Sequence, residues 1–178
     1  IHKDIFVGVN YILMKNVLIP TDFSENSWNS IEYALSFFKD FNCNFYVLHV
    51  DRINTFIGGE TPSIPSDQVI EKVYTNTSKE KLLKIIKKIS KLPKNSNHRF
   101  FTLTDYNFFI DSIRKHVEEK EIDFIVMGTK GASGIKKLIV GSNTADIITK
   151  VHCTTFVIPE NAKFVDPIEI AFPSDYSL

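Results

Sequence analysis

The chain alternates short apolar runs with longer amphipathic stretches. Lys15-Asn16-Val17-Leu18-Ile19-Pro20 is apolar at consecutive positions and ends in proline, the pattern of a strand buried on both faces of a parallel sheet. Thr21-Asp22-Phe23 makes a turn, and Ser24 is placed to cap a helix in which Ile31, Ala34, Leu35 and Phe38 share one face. Phe45 to Val50 predicts the second strand. Asp51 to Pro65 predicts a long loop rich in Gly, Pro, Thr and Ser. From Ser66 to about Leu92 the period is helical, with Leu82, Ile85, Ile86 and Ile89 opposite a lysine-rich face. His98–Leu103 predicts a third strand, Tyr106–Lys120 a helix, Ile122–Met127 a fourth strand, Ser142–Lys150 a helix and Thr154–Ile158 a fifth strand stopped by Pro159.

That alternation implies a five-stranded parallel open sheet with helices on both faces. Ligands of such sheets bind outside the carboxyl ends of the strands, near the reversal of strand order. The turns after Pro20 and after Met127 are therefore the ones to inspect.

The first of these turns has a short echo near the end of the chain. Val17 to Ser24 resembles Ile168 to Ser177, each an apolar run followed by Pro, a hydroxyl residue, Asp, an aromatic residue and Ser. The expected organisation is a domain over residues 15–160, followed over residues 161–178 by a linker and the first strand of a truncated second domain. Residues 1–14 are set apart from it. Met14 is read as the natural start, which makes residues 1–13 translated upstream sequence; a genuine β extension is the alternative.

Composition narrows the function. Hydrophobic residues make up 43% and charged residues 24% of the 178 positions, enough for a packed core. Lysine plus arginine equals aspartate plus glutamate, 21 each, which argues against a broad electrostatic footprint for nucleic acid or an anionic membrane. Cys43 and Cys153 belong to no metal-spacing motif and read as buried free thiols in a reducing cytoplasm. The apolar stretch Ile5–Leu13 is too short for a membrane helix.

The chemistry concentrates in Met127-Gly128-Thr129-Lys130-Gly131-Ala132-Ser133-Gly134 and Gly141-Ser142-Asn143-Thr144. A strand ends, the chain turns on glycines, and a helix begins. Glycine lets backbone N–H groups approach an anion, and the first amides of a helix lie unpaired at the positive end of its dipole. Two amide clusters, near Gly131 and Ser142, could hold successive phosphates as a nest. Neither the P-loop spacing nor the dinucleotide fingerprint is present. A glycine-rich loop with a simple helix cap accounts for these residues equally well on local physics.

Gly128, Gly131, Gly141 and Ser142 match, at every spacing, the G-x2-G-x9-G-[ST] motif of the ATP-binding universal stress proteins. Pro20-Thr21-Asp22-Phe23-Ser24, Leu48-His49-Val50 and Val157-Ile158-Pro159 resemble that family's first-strand turn, second-strand end and last strand. The resemblance spans residues 15–160 and implies a Rossmann-like, adenine nucleotide α-hydrolase-like fold. It implies that Asp22 meets the ribose or a phosphate-bound Mg2+, that Pro20 and Thr21 shape the same wall, and that Val50 and Met127 contact adenine. Gly128, Gly131, Gly141 and Ser142, followed by Asn143 and Thr144, become the phosphate cradle for ATP, ADP or AMP. Lys130 either pairs with phosphate or is a solvated lysine; Lys136 and Lys137 either rim the site or form an exposed face.

His49 reads as a hydrogen-bonded core histidine, Trp28 as a packing residue, and His116 and His152 have no evident partner. Arg52, Arg99 and Arg114 lie away from the motif, so no arginine finger or general base is identified. A regulatory nucleotide-binding protein is the first reading. A slow ATPase or adenylyl-transferring enzyme is the second, and a nucleotide-free interaction module the third. The resemblance also implies pairing through Thr154–Ile158, either in a homodimer or with a second domain of the same chain.

Overall fold

The computed structural model describes residues 14–51, 76–129, 141–169 and 171. The chain runs β1 (Lys15–Pro20), α1 (Glu25–Phe37), β2 (Cys43–Asp51), α2 (Asn76–Ile89), β3 (Arg99–Tyr106), α3 (Phe109–Glu119), β4 (Phe124–Gly128), α4 (Ser142–Lys150) and β5 (Thr154–Ile158). All strand pairs are parallel, in the order β3-β2-β1-β4-β5. The expected five-stranded α/β architecture is the one observed.

Residue alternation divides two cores between the sheet faces. Val17 and Ile19 of β1, Phe45 and Val47 of β2 and Val126 of β4 pack with Trp28, Ile31, Ala34 and Leu35 of α1 and Leu82 and Ile89 of α2. Leu18, Leu48, Ile125 and Met127 point the other way, against Ile113 of α3 and Ile147 of α4. The consecutive apolar positions of β1 are thus explained by a strand with no solvent face. Phenylalanine dominates the first core. Phe45 stacks on Phe100 with centroids 5.3 Å apart, and Phe38 lies 5.3 Å from Phe124.

The central register is fixed at its amino end by one carboxylate. Asp123 accepts from Lys15 Nζ at 3.0 Å and from the Asn16 amide at 2.8 Å, and its own amide donates to the Asn16 carbonyl. β1 and β4, separated by about a hundred residues, are joined there. Ser24 caps α1 as expected, accepting from the Ser27 amide at 3.2 Å.

Several boundaries differ from the pattern reading. Thr104, Asp105 and Tyr106 continue β3, pairing with His49, Val50 and Asp51, so Tyr106 does not start a helix; α3 begins at Phe109. Asp51 likewise belongs to β2 rather than to a loop. Ile122 and Asp123 precede β4 because the Asp123 side chain is used to anchor Asn16. Of the expected helix from Ser66, residues before Asn76 lie outside the described set, as do residues 1–13 and most of the internal repeat's second copy. Ile168 and Glu169 are described, and neither is in a strand.

After β5 the chain turns at Pro159 and crosses α1. Phe164 packs edge-on against Tyr33 and Phe37, with centroids 5.5 and 6.2 Å away, and Lys39 pairs with Asp166 at 3.0 Å. No helix among the described residues is long and apolar enough to cross a membrane.

The two thiols differ. Cys43 is buried and Cys153 only half-buried. Burial pushes the Cys43 thiol up from 9.0 to about 11, with a smaller push from Asp123. The folded state therefore holds that proton more tightly than the unfolded chain does. Cys43's contribution to stability is complete below about pH 9 and is lost as pH climbs toward about 11. Denaturant midpoints should fall over that window in wild type and fall less in Cys43→Ala.

Candidate functional site

The sheet winds in opposite directions from β1. The β1–α1–β2 unit runs to one side and β4–α4–β5 to the other, so the carboxyl ends of β1 and β4 flank the reversal point. Pro20, Thr21 and Asp22 arrive from β1, and Met127, Gly128 and Thr129 from β4. Val50 comes from the neighbouring end of β2.

The β1 turn is tightly built. The Thr21 amide donates to the Leu48 carbonyl at 2.8 Å. Its buried hydroxyl meets Ser27 Oγ at 2.9 Å and accepts from the Phe23 amide at 3.1 Å. Phe23 has a φ of 65°, a left-handed conformation uncommon outside glycine. Asp22 is exposed, and its Oδ1 accepts from the Ser24 amide at 3.1 Å. Val50 and Met127 lie on the α3/α4 side of the sheet, half-buried and buried respectively, within the same apolar cluster.

α4 is fastened to the end of β4. Thr144 Oγ1, buried, donates to the Gly128 carbonyl at 3.0 Å, and the Gly141 amide donates to the Thr129 carbonyl at 2.7 Å. The Thr129 amide in turn reaches the Ile158 carbonyl of β5 at 3.0 Å. Gly141 occupies the N-cap and supplies no side-chain acceptor, while Ser142 at the first helical position is exposed. The start of α4, whose first amides lack intrahelical acceptors, therefore carries no side-chain cap from Gly141. Gly128 is confined: a Cβ built there would fall 2.5 Å from Asn26 Nδ2 and 2.9 Å from Asn26 Cγ. α1 and β4 meet at that point, a contact the sequence pattern did not identify.

The structure thus gathers Pro20, Thr21, Asp22, Val50, Met127, Gly128, Gly141, Ser142, Asn143 and Thr144 at the carboxyl edge of the sheet. Lys130, Gly131, Lys136 and Lys137 lie outside the described residues. Arg99 begins β3 at the opposite end of the sheet, and Arg114 donates to the Lys150 carbonyl at 2.8 and 3.0 Å. Trp28 is buried in the first core, with Lys88 Nζ 3.7 Å over its ring. His116, which had no evident partner, is buried and lies 3.0 Å from Asp105 Oδ2. His152 is exposed.

His49 is hydrogen-bonded, as expected, through both ring nitrogens. Its ring lies against that of Phe23, tilted by 35° with centroids 4.2 Å apart; Nδ1 lies 2.7 Å from the Thr21 carbonyl and Nε2 3.3 Å from Asp51 Oδ1. Ser78 at the start of α2 donates to the other Asp51 oxygen at 2.7 Å. The available signal was the spacing: residues two apart on a strand share a face, so His49 and Asp51 had to be neighbours.

An open parallel sheet with a helix start bolted beside its reversal point defines an α/β domain of the doubly wound class. More particularly, residues 14–159 match the sequence profile of the universal stress protein family, and the chain belongs to that family. A universal stress protein of Methanocaldococcus jannaschii is 28% identical over 151 residues, 85% of each chain. The solved universal stress protein UspA from Lactobacillus plantarum superposes with a TM-score of 0.65 at 20% identity, covering 81% of this chain and 97% of its own. A universal stress protein family protein from Arabidopsis thaliana, solved with AMP bound, gives a TM-score of 0.54 at 16% identity, covering 83% of this chain and 93% of its own. The two structural likenesses speak to the fold.

Proposed function

We propose that this chain binds ATP or a related adenine nucleotide and acts as a regulatory protein rather than a fast enzyme. The observation that carries the reading is the start of α4, pinned to Gly128 and Thr129 at the end of β4, with the exposed carboxylate of Asp22 following the end of the neighbouring β1. Val50 and Met127 supply the apolar contact for adenine and Asp22 the acceptor for ribose hydroxyls. The amides at Ser142 and Asn143, with those near Gly131, donate to phosphate oxygens, while the Gly141 amide, spent on the Thr129 carbonyl, shapes the cradle. Thr144 acts indirectly, because its hydroxyl is spent on the Gly128 carbonyl. AMP in the Arabidopsis thaliana relative supports an adenine nucleotide in this fold.

Among the described residues no three His, Cys, Asp or Glu side chains converge on a metal position. That donor set suits Mg2+ that arrives on the nucleotide, keeps most of its water and takes at most one carboxylate, Asp22. The regulatory reading rests on the same economy: the site is made of backbone amides and small hydroxyls, and both described arginines are placed elsewhere. β5 ends the sheet, and its Thr154–Ile158 edge is where we place pairing with a second copy or a second domain, which would cover its open ladder.

The test is mass spectrometry of ligand released from purified protein, followed by calorimetric titration of ATP with Mg2+, and of AMP, into ligand-free protein and a Gly131→Val variant. Adenine nucleotide in the released fraction, and binding that the variant abolishes, are expected. A folded protein giving no heat with either nucleotide at several temperatures would retire the reading in favour of an interaction module.

A further inference from the structure

The start of α1 and the middle of α2 leave a cavity of about 260 Å³ between them. Phe23 and Trp28 form its aromatic wall, Ile85 adds an aliphatic contact, and Lys81, Lys84 and Lys88 line its α2 side. It lies on the α1/α2 face of the sheet, whereas Val50 and Met127 lie on the other face. None of its described lining residues belongs to the nucleotide reading. α2 carries five lysines and one glutamate, and the spacing i, i+3, i+7 sets three of the five on one side of the helix. A solvated lysine face would hold its ammonium groups out in water. Here Lys88 Nζ lies 3.7 Å over the Trp28 ring and Lys81 Nζ 5.2 Å over the Phe23 ring, contacts in which a ring face stands in for an anion. Glu25 is a carboxylate on the rim, yet among the described residues no carboxylate pairs with any of the three lysines.

Size and charge spacing together define the occupant. Pockets that enclose a whole small-molecule ligand span about 300–1,000 Å³, so this smaller one takes a single bulky apolar group. From Lys81 to Lys88 the helix rises roughly 10 Å, too far for one carboxylate to meet all three ammonium groups. An extended peptide crosses that distance in about three residues. We propose that this groove docks an acidic segment of a partner protein. One apolar side chain of the segment enters against Phe23 and Trp28, and its carboxylates follow the lysines from Lys81 to Lys88, replacing ring contacts with ion pairs. The chain as a whole carries no net charge, so the attraction belongs to this groove and steers one face of the molecule toward its partner. The proposal stands independently of nucleotide binding.

Trp28 is the chain's one tryptophan, so the groove has its own fluorescent reporter. A phage-displayed library of random peptides lacking tryptophan is selected on the full chain. The winners are synthesised and titrated against Trp28 emission in wild type, Lys84→Glu and Lys79→Glu. Both lysines are exposed, and of the two only Lys84 lines the groove. Selected peptides should carry an apolar residue with two or more Asp or Glu close behind it. Their binding should change Trp28 emission and weaken about tenfold in Lys84→Glu, where attraction becomes repulsion. In Lys79→Glu it should stay within about twofold of wild type. Far-ultraviolet circular dichroism checks that each variant is folded, and Lys84→Gln, with an intermediate loss, decides the matter if Lys84→Glu does not fold. Winners without acidic residues, titrations that leave Trp28 emission unchanged, or equal affinity in wild type and folded Lys84→Glu overturn the proposal. Octanoate binding as tightly as the peptides would overturn it in favour of a small-molecule pocket. Phosphatidylserine vesicles that capture wild type and release it in Lys84→Glu, with no peptide bound, would overturn it in favour of a membrane-facing surface.

Discussion

Phe45→Ala is expected to cost about 3–5 kcal/mol of folding stability, read as a drop in denaturant midpoint at unchanged slope. Phe45 has no exposed surface. Its ring stacks on Phe100 at an interplanar angle of 13° and meets His98 edge-on at 5.0 Å, with Phe38 6.3 Å away. Alanine leaves a void between a central strand and the helices above it, and neighbours tied into the sheet cannot collapse to fill it. Domains are commonly stable by only about 5–15 kcal/mol, so this substitution spends a large share of what is available. The matched control is Phe108→Ala, where 56% of the side chain's residue surface is already in water; its change should stay within about 0.5 kcal/mol. Equal losses at the two positions would contradict the core described here.

Gly128→Val should weaken adenine-nucleotide binding by at least about tenfold, equivalent to about 1.4 kcal/mol, and lower stability by about 1–3 kcal/mol. The first added carbon already meets Asn26 Nδ2 at 2.5 Å. The Asn26 side chain can swing away from a single methyl, so Gly128→Ala should be milder. The branched side chain of valine drives the end of β4 away from α1. Because the Gly128 carbonyl holds Thr144, the start of α4 moves with it, and the amides proposed to meet phosphate lose their relation to the β1 turn. Calorimetry with AMP measures the first effect and chemical denaturation the second. Unchanged affinity in a folded Gly128→Val protein would show that the β4 end and the ligand are independent.

The sheet was readable because its strands are buried on both faces, which writes apolar residues at successive positions such as Val17, Leu18 and Ile19. The helix stripe through Ile31, Ala34 and Leu35 was readable for the same reason, since all three are in the core. Boundaries were harder where a residue's role is polar and non-local. Asp105 and Tyr106 look like turn residues in isolation, yet pairing with Val50 and Asp51 carries β3 through them. Asp123 looks like part of a strand until its bond to the Asn16 amide is seen. At the site, the glycine spacing and the turn after Pro20 were legible as local motifs. The approach of Asn26 to Gly128 and of His49 to Thr21 depends on how separate elements lie across one another, which no spacing encodes. His116 likewise finds Asp105 only once α3 is laid over β3.

The strand order also bears on how the molecule is made. β1 leaves the ribosome before the other four described strands, but one of its two partners, β4, is synthesised about a hundred residues later. During translation β2 and β3 can add to one side of β1, while its other edge, with Val17 and Leu18 awaiting Phe124 and Ile125, stays an open ladder of amides and carbonyls. Such an edge is a template for any passing strand. The nascent chain is therefore most vulnerable to misassociation late in its synthesis, in the interval before the Asp123 carboxylate reaches Lys15 and Asn16, and a chaperone that shields this nascent chain would have the most to do there.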